Sequence, residues 1–218
     1  MNQIPSCFIV GAGIVDPGLR LTLRPGDLLI AADGGLSAVE HMSLTPDLVI
    51  GDFDSLGQTP THSNTIVLPC EKDVTDMHAA IDAGLERGYT RFALYGGTGG
   101  RLAHTLANLQ LLDRLAQKGC RGFLAGNGTV ATAVANGSLC FPAGMSGYLS
   151  VFCNSGAASG VTLSGLKYEL TDAALSGTFP MGVSNEFTDA PALVRVERGS
   201  LLVLWQGDTV DRDLLSSL

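Results

Sequence analysis

Positive charge is scarce in this 218-residue chain: 13 Lys and Arg stand against 21 Asp and Glu, a formal net charge of −8. Broad nucleic-acid binding needs a basic face, so that class of partner is excluded. An anionic ligand must then be met at a local site or through a divalent cation. Charged residues of both signs reach only 16% and aromatics 6%, against 45% hydrophobic. A globular chain averages about 25% charged, and this much apolar surface argues against disorder. Apolar runs are short, none approaching the roughly 18 residues that mark a membrane span. No positive side chain precedes Arg20, so neither a secretory leader nor a membrane partner is expected. The cysteines (Cys7, Cys70, Cys120, Cys140 and Cys153) are odd in number, widely spaced and free of any C-x-x-C pair. They fit reduced thiols in a soluble cytoplasmic protein better than a disulfide framework or a zinc site. The 28 glycines follow no G-X-Y period, which excludes collagen. The length fits one large domain or two small ones.

The first 125 residues alternate strand and helix signals. Cys7-Phe8-Ile9-Val10 ends in Gly11-Ala12-Gly13, residues 27–32 end in Asp33-Gly34-Gly35, and residues 47–50 end in Gly51-Asp52-Phe53-Asp54-Ser55. Residues 65–68 lead to Glu71-Lys72-Asp73, and 91–95 to Gly96-Gly97-Thr98-Gly99-Gly100. Short apolar runs bounded by glycine are the signature of strands buried on both faces. Residues 75–87 place Met77, Ala80, Ile81 and Leu85 on one helical face, and residues 102–118 do the same with leucines, ending at Gly119. An α/β half with a mainly parallel sheet is expected over 1–125, with its ligand site at the carboxyl ends of the strands. Over 126–218 short strand runs at 148–152, 161–170, 192–197 and 201–205 alternate with turns. That texture predicts an antiparallel β-sandwich.

The sharpest chemical feature is Asp52 and Asp54 at a strand end, followed by Asp76 at a helix start. Two carboxylates ~4 Å apart repel by about 4 kcal/mol at an effective dielectric of 20, so acids that converge there protonate, spread into solvent or hold a cation. Oxygen ligands with spare water positions suit Mg²⁺. The other reading is a turn plus ordinary helix caps at Asp73 or Thr75. Residues 96–100 lead a strand into a helix, where backbone N–H groups and the helix dipole favour an anion, and Arg101 adds a fork suited to phosphate. This is not a Walker A loop, and Gly11-Ala12-Gly13 does not complete a dinucleotide fingerprint, since Asp16 takes the third glycine's place. His104 and Asn108 lie one helical turn apart. Asp33-Gly34-Gly35 is either a tight turn or a nucleotide contact. In the second half Phe187, in the polar stretch 182–187, reads either as an edge core residue or as a stacking platform, while Trp205 reads as core.

Taken together, Asp33-Gly34-Gly35, Gly51-Asp52-Phe53-Asp54-Ser55, Lys72-Asp73-Val74-Thr75-Asp76, residues 96–108, Gly165-Leu166-Lys167-Tyr168 and Ser184-Asn185-Glu186-Phe187 resemble, in order and spacing, the thiamine pyrophosphokinase family. The resemblance implies an α/β nucleotide domain, a β-sandwich domain and a homodimer with thiamine near the dimer interface. It also implies the reaction, ATP plus thiamine giving AMP plus thiamine diphosphate. Asp52, Asp54 and Asp76 then correspond to the Mg²⁺ acids and, with Arg101, to the catalytic set. Asp33, Gly34, Ser55, Lys72, Thr75, Gly97, Thr98, Gly99, His104 and Asn108 correspond to ATP contacts. Ser184, Asn185 and Phe187 correspond to thiamine contacts, with Phe187 stacking on the pyrimidine. Ala103 departs from the family, which commonly carries Asp there. Competing readings are a haloacid dehalogenase-like phosphatase built on Asp52-Phe53-Asp54, a glycosyltransferase using its D-x-D, and a non-catalytic nucleotide- or thiamine-binding regulator. Residues 47–76 hold six acids and one base, five of the eight net negative charges, so the acidity concentrates at the expected metal site.

Overall fold

The computed structural model describes residues 4–54, 60–207 and 210. Six strands build the parallel block: β1 (Cys7–Val10), β2 (Leu28–Ala32), β3 (Leu48–Gly51), β4 (Thr65–Val67), β5 (Arg91–Tyr95) and β6 (Arg121–Gly126). Their order is β4-β3-β2-β1-β5-β6, parallel throughout. Every residue of β1, β2, β3 and β5 is buried, as the unbroken apolar runs require when helices cover one face and other elements the opposite face.

Helices α2 (Asp76–Glu86) and α3 (Leu102–Gln117) cover one face. Ile81, Leu112 and Leu115 are fully buried there among Ile9, Ile30 and Leu94, each worth about 1.5–3 kcal/mol of transfer free energy. The short helix α1 (Gly35–His41) lies against the other face, where Val39 joins Val10, Leu29 and Val49.

The sheet does not stop at the end of the α/β half. Asn127 and Gly128, both left-handed at φ 55 and 73, make the two-residue hairpin that such angles favour and turn β6 into antiparallel β7 (Thr129–Ala135). Strands β14 (Ser200–Gln206), β9 (Tyr148–Cys153) and β12 (Gly182–Glu186) continue it to ten strands, ending on β12. A second sheet, β11 (Leu170–Ser176), β10 (Ala157–Ser164), β13 (Ala192–Arg195) and β8 (Ser138–Phe141), is antiparallel. Its Phe141, Val161, Leu163 and Val194 share one core with Leu149, Val203 and Trp205 of the large sheet.

The sandwich therefore takes one of its layers from the same sheet that carries the parallel strands, and residue 125 lies inside β6. Two expected elements also differ. Residues 161–170 are not one strand: the chain turns at Gly165, left-handed at φ 69, between β10 and β11. Residues 182–186, expected as a connecting stretch, form the edge strand β12. No helix among the described residues is long and apolar enough to cross a membrane.

Candidate active site

The chain runs from β1 to β2 on one side, and β5 lies on β1's other side. The crevice between the carboxyl ends of β1 and β5 is thus a topological switch point, where open α/β sheets bind ligands. Two glycine loops are laced together there. Gly11 N–H donates to the Tyr95 carbonyl at 2.8 Å, Gly13 N–H to Gly96 at 2.7 Å and Ile14 N–H to Thr98 at 3.1 Å. A cavity of about 510 Å³ opens above them.

One wall is acidic. Asp33 and Phe53 follow β2 and β3 with left-handed backbone, φ 48 and 56. For Phe that conformation is costly and persists only when the surroundings enforce it. Its ring, 2% exposed, is anchored in the core. Asp52, immediately before it, lines the cavity, while Asp54, immediately after it, is exposed and outside the lining, its N–H 3.4 Å from Asp52 Oδ1. Asp76 arrives from the first turn of α2, whose N-cap is Thr75: its Oγ1 accepts from His78 N–H at 3.2 Å. Asp33 lines the cavity too, and Lys72 stands between Asp52 and Asp76, ion-paired to Asp52 Oδ2 and 3.2 Å from Asp76 Oδ1.

The opposite wall is the turn from β5 into α3. Gly97, Thr98, Gly100, Arg101, His104 and Asn108 line it, with the amino end of a 16-residue helix beneath and its dipole favouring negative charge. Asn108 is buried, and its Nδ2 donates to the Gly97 carbonyl at 2.8 Å. That bond makes Asn108 a support for the glycine loop.

Charge is unevenly distributed over the acids. The hydrogen bond from Lys72 holds the Asp52 carboxyl below its ordinary value, whereas burial raises that of Asp76 despite the same lysine. Burial is the largest single influence on Lys72 and pushes it down, but its bonds to Asp52 and Asp76 together leave it above the ordinary lysine value. The signs give a prediction. Because Asp52 titrates lower in the folded chain than its unfolded 3.8, its stabilising contribution is present above pH ~3.8 and is lost as pH falls through the depressed folded value. Asp76 has the opposite sign, disfavouring the fold as pH rises from 3.8 through its raised value. Urea unfolding between pH 2 and 6 is expected to show a shallower acid-side decline in D52N than in the wild type, and a shallower loss on the neutral side in D76N. Superimposable profiles would contradict both assignments.

Several expected site residues lie elsewhere. Gly34 lines a neighbouring cavity of about 480 Å³ across the shared Gly11-Ala12-Gly13 ridge, and Gly99 is absent from both linings. Ser55 falls outside the described residues. Ser184, exposed and left-handed at φ 59, sits on β12. Asn185 is turned inward: its Oδ1 accepts from Tyr168 and Glu186 N–H, both at 2.9 Å, and its Nδ2 donates to the Tyr168 carbonyl at 2.7 Å. Phe187 is 8% exposed and packs edge-on against Phe141, ring centroids 5.1 Å apart. Its ring is thus a core element of the chain, as is that of Trp205. Five strand steps separate β12 from β5, roughly 24 Å at the usual strand spacing, so one chain does not bring these residues to the acidic cavity. Sequence reasoning missed Gly11, Ala12, Gly13, Cys70 and Thr105 as lining residues. The signal for the first three was their place directly after β1, whatever their failure as a fingerprint.

Residues 19–124 match the family model described as thiamin pyrophosphokinase, catalytic domain, and residues 140–201 match the one described as thiamin pyrophosphokinase, vitamin B1 binding domain. The chain belongs to the thiamin pyrophosphokinase family. It is 26% identical over 195 residues to a Bacillus subtilis protein named thiamine pyrophosphokinase, covering 83% of this chain and 88% of the relative. A crystal structure of thiamin pyrophosphokinase from Geobacillus thermodenitrificans matches with a TM-score of 0.79 at 27% identity, over 93% of this chain and 98% of that one. One of a thiamin pyrophosphokinase family protein from Enterococcus faecalis matches at 0.77 and 28%, over 94% and 100%. Proteins of that name are enzymes, and the family match uses both halves of the chain. The phosphatase reading, which left the β-rich half idle, and the regulator reading lose their support.

Proposed function

We propose that the chain transfers the pyrophosphoryl group of ATP to the hydroxyl of thiamine, releasing AMP, with the triphosphate lying in the 510 Å³ cavity. The observation that carries this is the pairing of Asp52 and Asp76 on a single cationic point, Lys72 Nζ, across from a glycine loop and a helix amino end. The α/β half, 1–125, handles the nucleotide and the half over 126–218 handles thiamine, in keeping with the two family models.

Among the described residues no three His, Cys, Asp or Glu side chains form a metal cluster. Two carboxylates that already share one cation do fit Mg²⁺, which is typically held by one or two carboxylates together with substrate phosphates. Asp52 and Asp76 would hold it, with Asp54 at the rim, and when bound it supplies charge neutralisation on the phosphate oxygens. The chain's own groups do the rest. Arg101 and Lys72 bind and orient the phosphates, the residues 96–100 loop presents backbone N–H groups, and Asn108 fixes that loop. The thiamine hydroxyl oxygen bonds to the β-phosphorus and gives up its proton to solvent as the bridge to the α-phosphorus breaks, and AMP leaves with the bridging electron pair. Positioning and electrostatics dominate such transfers.

The separation of β12 from the cavity favours a homodimer, in which a second copy's β12 region closes the site. Tyr148, Met181 and Val183 on and beside this sheet edge, with Phe179 nearby, are 46–66% exposed, an apolar patch suited to association. The test is a phosphorus NMR time course with ATP, Mg²⁺ and thiamine. AMP and thiamine diphosphate are the expected products. ADP with thiamine monophosphate, or no turnover, would overturn the proposal.

A further inference from the structure

Lys72 is set into the cavity wall. Its side chain is 12% exposed, and Asp52 and Asp76, the two acids it bridges, are 13% and 25% exposed. A terminal ammonium is a compact charge on a flexible four-carbon stem with three rotatable donors. Here it stands on the point that both carboxylates share. A divalent cation held by the same two carboxylates would compete with it, because like-charge repulsion disfavours an ammonium and a dication side by side between them. The glycine loop and Arg101 line the same cavity, where the phosphates of the proposed nucleotide would give Lys72 a second destination.

We propose that Lys72 is an exchangeable internal counter-ion. With no nucleotide bound, it neutralises the Asp52–Asp76 pair and holds divalent cations off it. When phosphates arrive, the ammonium turns to them and releases the pair. Metal loading is thereby tied to nucleotide binding, and the carboxylates never face each other uncompensated. Asp76 lies four residues after Lys72, at the start of α2, so the exchange needs rotation of the lysine side chain and no shift of the helix. The proposal rests on the reading of this cavity as an ATP–Mg²⁺ site.

The test is direct Mn²⁺ binding to the 218-residue chain, followed by electron paramagnetic resonance without nucleotide and with α,β-methylene-ATP, whose α–β bridge cannot break. Lys72→Met keeps the stem and removes the charge, and Lys72→Gln is the second variant should the first not fold. Without nucleotide, the variant is expected to bind Mn²⁺ about tenfold more tightly than the wild type, because one repelling charge is gone. Nucleotide binding in EDTA is expected to weaken in the same variant, because the phosphates lose a cation. Equal or weaker Mn²⁺ binding by the nucleotide-free variant, with binding measurable in both proteins, overturns the exchange and leaves the metal-site reading standing. Absence of protein-bound Mn²⁺ in both proteins, even with nucleotide, overturns both.

Discussion

Asp52→Asn is expected to lower kcat by about a thousandfold, equivalent to about 4 kcal/mol of transition-state stabilisation, while the chain stays folded. The two effects separate because they draw on different properties of the same carboxylate. Asparagine keeps the shape and one acceptor oxygen, so Lys72 retains a neutral partner there and its ion pair with Asp76. The loss to stability is that of one charge-assisted hydrogen bond, about 1.5–3 kcal/mol. For the reaction the charge is indispensable, because the site works by offsetting charge on phosphate oxygens, and removal of one preorganised group of this kind typically costs about 10²–10³ in rate. Steady-state kinetics beside urea unfolding measures both. Turnover within tenfold of the wild type would remove Asp52 from the catalytic set. Asp54→Asn is the informative companion: the acid lies outside the cavity lining, and a loss equal to that of D52N would mean that it swings inward when substrates bind.

The two acids that meet at the acidic wall were legible in the sequence because each flanks an element end. Lys72, read there as a triphosphate contact, lies in the connection between β4 and α2, and its place between the two acids was not legible. Asp52 closes a buried apolar run, Asp76 opens an amphipathic helix, and in a parallel sheet the strand ends of one sense meet at one edge. The helices α2 and α3 were legible for the same reason, their starts fixed to within a residue by the Thr75 cap and the glycine run before Leu102. Helix α1 left no comparable mark. It is seven residues long and its N-cap, Gly34, makes no side-chain capping bond; so short a helix is held by tertiary packing. The continuity of the large sheet was hidden for a different reason. Residues 201–205 read as a generic strand and β7 was not read as one, and their pairing is a long-range choice that strand propensity does not encode. Within β12 the register shifts between Gly182 and Asn185, and a left-handed Ser184 breaks the alternation that would have announced a strand. Asn185 and Phe187 show the limit for side chains. A polar residue and an aromatic in a loop-like stretch suit a ligand as well as they suit a backbone clamp and a core ring. Only the neighbours Tyr168 and Phe141 decide, and they lie 17 and 46 positions away in the sequence.

Gly96→Ala carries the largest expected structural effect, and it tests whether the two laced loops are what holds the cavity open. Gly96 is left-handed at φ 62, which costs an L-residue about 1–2 kcal/mol. A Cβ there would also press into the Gly11 carbonyl oxygen and come within 3.0 Å of Val15 Cγ2. The first of these is backbone, which cannot step aside without breaking the bonds from Gly11 N–H to Tyr95 and from Gly13 N–H to Gly96. Overpacking of this sort adds about 1–3 kcal/mol. Gly100, four residues on in the same loop, is not left-handed, and a Cβ added to it would meet nothing within 4 Å. Gly100→Ala should therefore change stability by no more than about 0.5 kcal/mol. The contrast matters because both glycines line the cavity, and composition alone treats them as equivalent. Urea unfolding of the two variants is expected to place G96A well below G100A, with turnover lost in the first whether or not it remains folded at assay temperature. Equal stability of the two would mean that the loops after β1 and β5 are free to separate. The phosphate wall would then owe its shape to the bound nucleotide, and the preorganisation on which the expected rate loss in D52N depends would have to come from the substrate.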